Sequence, residues 1–152
     1  MIFRFVVRRL RWLTKIPLLP LIFDAFLLAL STLTSPKKLR ALQAVENAAV
    51  SEFGAAIGLH RFGGIGFFVN GAELGHVHGN GLLDVFVGRV NRDALVCAGR
   101  ALRHHVFPAA GWVSFWIKGD ADITPALELL RLARDRATIP PNESLPPSDA
   151  ER

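Results

Sequence analysis

The sequence has few of the residues on which several protein classes depend. Cys97 is the one cysteine among 152 residues, so an intramolecular disulfide cannot form and a disulfide-stapled secreted scaffold is excluded. Because Cys97 lies among small apolar residues of a predicted helix, we predict a buried core thiol. No C-x-x-C pair, G-x-S-x-G motif or zincin motif is present. The common signatures of thiol redox, serine hydrolase and metalloprotease sites are therefore missing.

Acidic residues are scarce in the N-terminal part of the chain. Residues 1–40 contain eight Lys or Arg and a single acidic residue, Asp24, which gives a net charge of +7. Residues 41–152 contain ten basic and twelve acidic residues, a net charge of −2. The sequence pI of about 10.3 therefore reflects an N-terminal arm and not a basic face of the domain. We expect no nucleic-acid partner.

Residues 1–34 have the pattern of a membrane anchor. "IFRFVVRRLRWLTK" places apolar and basic residues on different faces of one helix, as in helices that lie on anionic membranes. Residues 16–33 follow as an almost continuous apolar run, just long enough to span a bilayer. Two prolines and the mid-segment Asp24 oppose a simple spanning helix. We predict an in-plane or re-entrant anchor, with a spanning helix, a cleaved signal or a helix packed on the domain as alternatives.

The orientation of this anchor is left open by the sequence. Basic residues flank the apolar run on both sides, so the positive-inside rule does not decide between the two orientations. We expect a membrane-associated protein and favour the cytoplasmic side for its domain.

Residues 35–137 are predicted to form one α+β domain, an antiparallel sheet with helices packed on one face, preceded by the hydrophobic helical anchor. Ser35 and Pro36 are typical of a helix start. From residue 57 the pattern changes to short runs of β-forming residues with two Asn-Gly turns. After these strands we predict a helix capped by Asn91, a strand over 111–119 and a last helix. The proline-rich residues 138–152 are predicted to be a disordered tail.

His76 and His78 are the first candidates for chemistry. On a strand they point to the same face, where two imidazoles can bind one metal ion if a third ligand joins them. Glu73 has the opposite strand parity and reaches the histidines only if Gly75 allows a β-bulge. Histidine pairs of this kind also occur often on half-exposed strands as polar surface residues without a metal or catalytic role.

Asp84 and the later histidines are the other candidates. A carboxylate within "LLDVFVG" needs a partner. A two-residue turn at 80–81 would direct Asp84 away from the histidine pair, whereas a register slip of one residue would direct it toward them. His104 and His105 follow the next helix, and His105 completes a possible three-histidine metal site made of His76, His78 and His105. His60 has no such context, and we predict it on the surface.

Three segments resemble the luciferase-domain family, which is named after the fungal luciferases: "GAELGHVHGNGLLDVFV", "ALRHHVFPAAGWVSFWI" and "DITPALELLRLARDRA". They carry the family's E-x-x-H-x-H stretch, its later histidine and their spacing, over about residues 57–136. Luminous members oxidise a hydroxypyrone luciferin with molecular oxygen, without flavin or nucleotide, and also have an N-terminal hydrophobic anchor. The matching site residues are Glu73, His76, His78, Asp84 and His105.

The chain also departs from the family pattern. The family's basic segment after the last strand is here "KGD", and the connection between the later histidine and Trp112 is shorter. Since that connection would help to shape a substrate pocket, the luciferin itself is not expected to be the substrate.

The resemblance implies a membrane-anchored monooxygenase or other oxidoreductase that acts on a small aromatic or enolic compound. No cofactor is expected, and molecular oxygen is the co-substrate. One histidine of the pair would be the general base, Glu73 or Asp84 would orient it, and His105 would stabilise the oxyanion. The alternatives are a metal-dependent enzyme that uses the three-histidine site, a non-catalytic module that binds a ligand at the membrane, and a purely structural histidine framework.

Overall fold

The computed structural model of the protein describes residues 19–60 and 63–138. The predicted amphipathic helix at residues 2–15 and the predicted tail from residue 139 onward lie outside the described residues. Thr138, with which that tail was predicted to begin, is instead the last residue of a helix.

The described residues form four α-helices and six β-strands. In chain order they are α1 (Leu19–Thr34), α2 (Pro36–Phe53), β1 (Ala56–Leu59), β2 (Ile65–Val69), β3 (Ala72–Val77), β4 (Leu82–Phe86), α3 (Arg89–Cys97), β5 (Leu102–Arg103), β6 (Trp112–Trp116) and α4 (Ile123–Thr138). The six strands make one antiparallel sheet with the order β1-β2-β3-β4-β6-β5. The predicted α+β class and antiparallel sheet are confirmed.

Helix α2 forms where the sequence predicts it, for reasons visible in its ends and its faces. Pro36 is well suited to a first helical turn because it has no N–H to leave without a partner. The helix ends at Gly54, whose φ of 63° is left-handed and whose N–H donates to carbonyls of the last turn. Its buried stripe consists of Ala41, Leu42, Val45, Ala49 and Phe53.

The hydrophobic core lies between the sheet and the helices α2 and α4. Helix α4 packs on β3 and β4 and also against α2. Leu83, Val85 and Val113 point from neighbouring strands into this core and have no exposed surface. The alternation of strand side chains therefore leaves the residues between them, including Asp84, on the other face.

The segment after β4 differs from the prediction. Helix α3 begins at Arg89 after Gly88, whose φ is 81°, and not at Asn91. The Asn91 side chain instead donates to the carbonyl of Val87, four residues earlier. Helix α3 ends at Cys97, earlier than the predicted end near residue 102, and Leu102 and Arg103 form β5. Tertiary pairing with β6 overrides the local helix preference there.

The sequence also predicts a possible membrane-spanning helix in the segment that forms α1 and a buried thiol at Cys97. Among the helices at residues 19–138, none is both long enough and apolar enough to cross a bilayer. The prediction for Cys97 is wrong, because this thiol is exposed at the end of α3 and does not face the core.

Candidate active site

The register of the β3–β4 hairpin decides which side chains share a face. His78 and Leu82 are joined by a backbone hydrogen bond of 2.9 Å, so the loop has three residues, 79–81, and not two. Gly81 adopts a φ of 92°, as the last residue of such a loop often does. His76 therefore lies directly opposite Asp84. This is the one-residue slip that brings the carboxylate to the histidine face.

A β-bulge in β3 brings Glu73 to the same face. Phe67 pairs with Gly75, but Phe68 pairs with Glu73, so Leu74 is an extra residue on β3. Gly75 permits the close approach of β4, because a Cβ there would lie 2.4 Å from the carbonyl oxygen of Asp84. The bulge considered for Gly75 in the sequence is therefore present.

Asp84 is the centre of the cluster, and its side chain has no exposed surface. One carboxylate oxygen accepts a hydrogen bond from the Ser114 hydroxyl on the neighbouring strand β6. The other oxygen, Oδ2, has no hydrogen-bond partner among the described residues. Three imidazole Nε2 atoms surround that oxygen at 3.6–3.8 Å, those of His76, His78 and His104.

Hydrogen bonds at the far side of each ring assign the tautomers of His76 and His78. Nδ1 of His76 lies 2.8 Å from a carboxylate oxygen of Glu73, and Nδ1 of His78 lies 3.2 Å from one of Asp24. An ionised carboxylate only accepts, so both Nδ1 atoms donate. In the neutral rings both Nε2 atoms then carry a lone pair. Two lone pairs and a carboxylate oxygen thus converge, and this arrangement calls for a proton or a cation between them.

His104 has the opposite tautomer. Its Nδ1 accepts hydrogen bonds from the backbone N–H groups of Val106 and Phe107, at 3.1 and 3.0 Å. The proton of the neutral ring is therefore on Nε2, 3.6 Å from Asp84 Oδ2. Burial, partly opposed by Asp84, lowers the pKa of His104 to about 4, so the ring is neutral at pH 7. His104 presents an N–H donor to the cluster.

His105, the later histidine that the sequence analysis favoured, lies at the edge of the cluster. Its ring stacks on that of His104 with centroids 4.7 Å apart. One of its nitrogens lies within 4.8 Å of ligand atoms of both Asp84 and His104. The structure therefore brings all five predicted site residues together, while His104 is the later histidine whose Nε2 faces Asp84.

The prediction for His60 is wrong, because this side chain is buried in the cluster. Its ring stacks on that of His76, with centroids 3.8 Å apart and planes 7° from parallel. Its Nε2 lies 3.4 Å from Glu73. Burial and the neighbouring His76 lower the pKa of His60 to about 4, although Glu73 opposes this shift. The contact depends on the pairing of β1, β2 and β3, which no local pattern around residue 60 reveals.

Asp24 is a second contributor that the sequence analysis did not assign to the site. Its carboxylate accepts from Nδ1 of His78 and, at 3.0 Å, from the backbone N–H of Gly79. This pairing explains why an acidic residue occurs within the apolar segment that forms α1. The signal was present in the sequence, since a charge in such a segment needs a partner.

Two aromatic side chains and an anchored loop surround the cluster. The Trp112 ring lies 5.6 Å from that of His76, and the Phe107 ring stacks on that of His104. The buried Arg92 guanidinium donates to the carbonyls of Ala109 and Ala110 and so fixes the loop that carries His104.

A cavity of about 290 Å³ lies beside His78, between the helices α1 and α2 and the sheet. Burial raises the pKa of one lining carboxyl, that of Glu46. The lining residues are Asp24, Leu39, Leu42, Gln43, Glu46, Ile65, Val77, His78 and Gly79. The cavity is mostly apolar, and the hydrogen-bonded pair Asp24 and His78 connects its lining to the cluster.

Comparison with known proteins identifies a family for the part of the chain that carries the site. Residues 71–133 match the family model described as the Luciferase domain. This range runs from the start of the β3 hairpin into α4 and includes every predicted site residue. The resemblance seen in the sequence is confirmed. A search of curated proteins and a search of solved structures each found no match to the chain.

Proposed function

We propose that this luciferase-like protein, with a luciferase domain at residues 71–133, oxidises a small enolic or aromatic hydroxy compound with molecular oxygen. One observation carries the proposal. Within the matched segment, the Nε2 atoms of His76 and His78 converge on a fully buried carboxylate oxygen of Asp84. A buried set of acceptors is suited to take the proton of an acidic hydroxyl group, and the anion that forms is electron-rich enough to react with oxygen.

The simplest form of this chemistry uses a histidine as general base. The His76 ring is oriented by its 2.8 Å hydrogen bond to Glu73, so that its Nε2 lone pair faces the interior of the cluster. Histidine is the side chain that most often acts as a general base. His76 would therefore remove the substrate proton while Glu73 stabilises the imidazolium.

His104 is suited to stabilise the substrate oxyanion, the role first predicted for His105. Its Nε2–H group points into the cluster, and its neutral state at pH 7 keeps that proton available for donation. A fixed N–H donor at a buried site stabilises developing negative charge more than water does. Arg92 supports this role by holding the loop that carries His104.

The oxidation step needs no added reductant. The substrate anion supplies two electrons to dioxygen as one carbon–oxygen bond forms. The proton held by the imidazole then passes to the outer oxygen, which gives a hydroperoxide. Trp112 and Phe107 provide flat surfaces beside the histidines, which favours a planar substrate.

We also propose that residues 1–34 hold the protein at a membrane surface, with the domain on the cytoplasmic side. Two observations support an in-plane position for α1. Ile22 and Phe26 are more than 60% exposed, and on the same helix Asp24 contacts His78 of the domain. A helix with an exposed apolar side and a second side docked on the domain suits a bilayer interface. Sedimentation of the full chain with anionic vesicles tests this, and loss of sedimentation on Ile22→Ser and Phe26→Ser is expected.

Oxygen consumption tests the proposed reaction. The full chain is incubated with a panel of hydroxypyrones, enols and phenols while oxygen uptake is recorded. His76→Gln should lower the rate by about 10²–10⁴-fold, the usual contribution of a general base. Glu128→Gln changes an exposed carboxylate far along the chain and should leave the rate unchanged. Absence of uptake with every compound, or equal rates for wild type and His76→Gln, would reject the proposal.

A non-catalytic ligand-binding module is the second candidate, and the cavity beside His78 favours it. On this hypothesis His76→Gln, which changes a residue outside the cavity lining, binds an apolar ligand as wild type does. A ligand-binding measurement on variants that have lost oxygen uptake separates the two functions.

A further inference from the structure

We infer that the cluster binds one divalent transition-metal ion through Nε2 of His76, Nε2 of His78 and Oδ2 of Asp84. The inference rests on the proposed function because it concerns the same site. It identifies a bound metal ion as the source of positive charge at that site. It differs from the predicted three-histidine site because a carboxylate replaces the third histidine.

The distances from Asp84 Oδ2 to the two rings are close to those expected around a metal ion. Asp84 Oδ2 lies 3.7 Å from Nε2 of His76 and 3.8 Å from Nε2 of His78. Ligand atoms around a tetrahedral ion with bonds of about 2.0–2.2 Å lie about 3.3–3.6 Å apart. The two distances to Asp84 Oδ2 exceed that spacing by a few tenths of an ångström at most, and the ligand atoms of the three residues all lie within 4.8 Å of one another. The Ser114 hydrogen bond fixes the other carboxylate oxygen and leaves Oδ2 directed at the rings.

The charges of the cluster favour a cation. Asp84 Oδ2 is fully buried and has no hydrogen-bond partner among the described residues. A buried acceptor without a partner is costly, and the two Nε2 lone pairs that face it add to the negative potential. A divalent ion at their centre would be coordinated by the carboxylate oxygen and by both ring nitrogens.

The hydrogen bonds outside the three ligands also fit a metal site. Metal-ligating histidines generally donate their second ring N–H to a carboxylate or a carbonyl, which fixes the tautomer. His76 donates to Glu73, and His78 donates to Asp24. These two carboxylates come from the bulge of β3 and from α1, so separate parts of the fold prepare the two rings.

His104 is excluded from the ligand set by its own hydrogen bonds. Its Nδ1 already accepts from two backbone N–H groups, so its neutral Nε2 carries a proton and offers no lone pair. It can donate to Asp84 but cannot bind the ion. The protein therefore supplies two histidines and one carboxylate, which leaves coordination positions for a substrate.

This donor set selects a narrow group of metals. Two histidines and one carboxylate with open positions are typical of non-haem Fe(II) sites that react with oxygen, and the same ligands also bind Zn(II). With an ion bound, His76 and His78 would be ligands and would not act as bases. The ion would make the substrate hydroxyl more acidic, and the proton of that hydroxyl would pass to water.

Metal titration of the full chain, purified without a histidine tag and stripped with a chelator, tests the inference. Calorimetry with Zn(II), and with Fe(II) without oxygen, should show one equivalent bound by wild type. His78→Gln and Asp84→Asn should weaken binding by more than about 100-fold, beyond the loss typical of outer hydrogen-bond partners. Asp24→Ala removes such a partner and should weaken binding by about 10–100-fold. His104→Ala and the surface variant Glu128→Gln should retain one equivalent.

Three results would overturn the inference. One is a folded wild-type chain, verified by circular dichroism, that binds less than one equivalent of either ion. Another is equal metal affinity in wild type and His78→Gln. This variant keeps the buried Asp84 and so remains informative if Asp84→Asn fails to fold. The third is loss of binding in His104→Ala without loss in His78→Gln.

Two measurements, metal binding and oxygen uptake, distinguish a failure of the metal site from a failure of the proposed oxidation. Oxygen uptake that persists in chelator, by a protein that binds no metal, rejects the metal site and retains the oxidation. One equivalent of bound metal without oxygen uptake for any compound retains the metal site and rejects the oxidation.

Discussion

On β4, Leu83 and Val85 point to one side of the sheet and Asp84 to the other, and all three side chains are fully buried. The side of Leu83 is packed with apolar groups beneath α2 and α4. The side of Asp84 is packed with imidazoles, and its outward carboxylate oxygen faces three of them. The same degree of burial therefore has opposite energetic effects on the two faces. Burial of the apolar side chains stabilises the fold, whereas burial of the carboxylate is unfavourable unless a positive charge compensates it.

Asp84→Asn should have the largest effect on function. It removes the carboxylate charge with little change in volume, so the proposed oxygen uptake should fall by about 10²–10⁴-fold. The helix-facing side of β4 is untouched, and the far-ultraviolet circular dichroism spectrum should be retained. Uptake at the wild-type rate would show that the polar face of β4 takes no part in the chemistry.

Leu83→Ala tests the opposite face of the same strand. Truncation of a fully buried leucine should lower the free energy of unfolding by about 2–5 kcal/mol, measured by urea denaturation. Activity per folded molecule should be retained because Leu83 points away from the histidines. A loss of activity larger than the loss of folded protein would show that the two faces are not independent.

Acid should weaken the polar face selectively. His60 and His104 have pKa values lowered to about 4, against an ordinary value near 6.5. Between pH 4 and 6.5 the unfolded chain binds more protons than the folded one. The stability that these two neutral rings contribute is therefore fully present above pH 6.5 and is lost as the pH falls toward 4. The loss should be at most about 3 kcal/mol for each ring. His60→Gln should flatten this part of the stability profile, and a profile as steep as that of wild type would contradict the assignment.

Gly75→Ala tests the bulge that joins Glu73 to the histidine face. The added Cβ would lie 2.4 Å from the backbone oxygen of Asp84, so the two strands must separate. We expect a loss of about 1–3 kcal/mol in unfolding free energy, together with reduced oxygen uptake. Gly71→Ala is a useful comparison, since a Cβ there meets no atom within 4 Å but has to adopt a φ of 78°. Gly71→Ala should therefore be destabilising but leave the uptake of the folded protein unchanged.

Glu128→Gln should have the smallest effect, although it converts a carboxylate to an amide as Asp84→Asn does. Glu128 pairs with Arg100 at the surface, where both side chains are about half exposed. Exposed ion pairs contribute about 0–1 kcal/mol, so the melting temperature should barely change. A large effect would mean that a surface carboxylate matters as much as a buried one.

Local features of the fold were predictable because short-range preferences decide them. Pro36 and Gly54 delimit α2 through their backbone conformations alone, and the two Asn-Gly turns were placed between the correct strands. The site was only partly predictable. His76 and His78 share a face by strand geometry, whereas the side on which Asp84 lies depended on whether the hairpin loop has two residues or three.

The parts of the site that were missed depend on contacts distant in the sequence. Asp24 meets His78 across 54 positions, and His60 reaches His76 only because β2 lies between their strands. The choice between His104 and His105 depends on a loop held by Arg92. None of these contacts leaves a periodic signal in the chain.

The sequence by itself determined the residue types of the site, the face shared by its histidine pair and the similarity of the segment that carries them to the Luciferase domain. The tertiary structure alone decided which groups complete the cluster and which ring nitrogens of His76, His78 and His104 donate hydrogen bonds. The physical reason is that strand alternation and helix ends are set by neighbouring residues. The charge of a buried carboxylate, in contrast, is balanced by whatever the whole fold brings within a few ångströms of it.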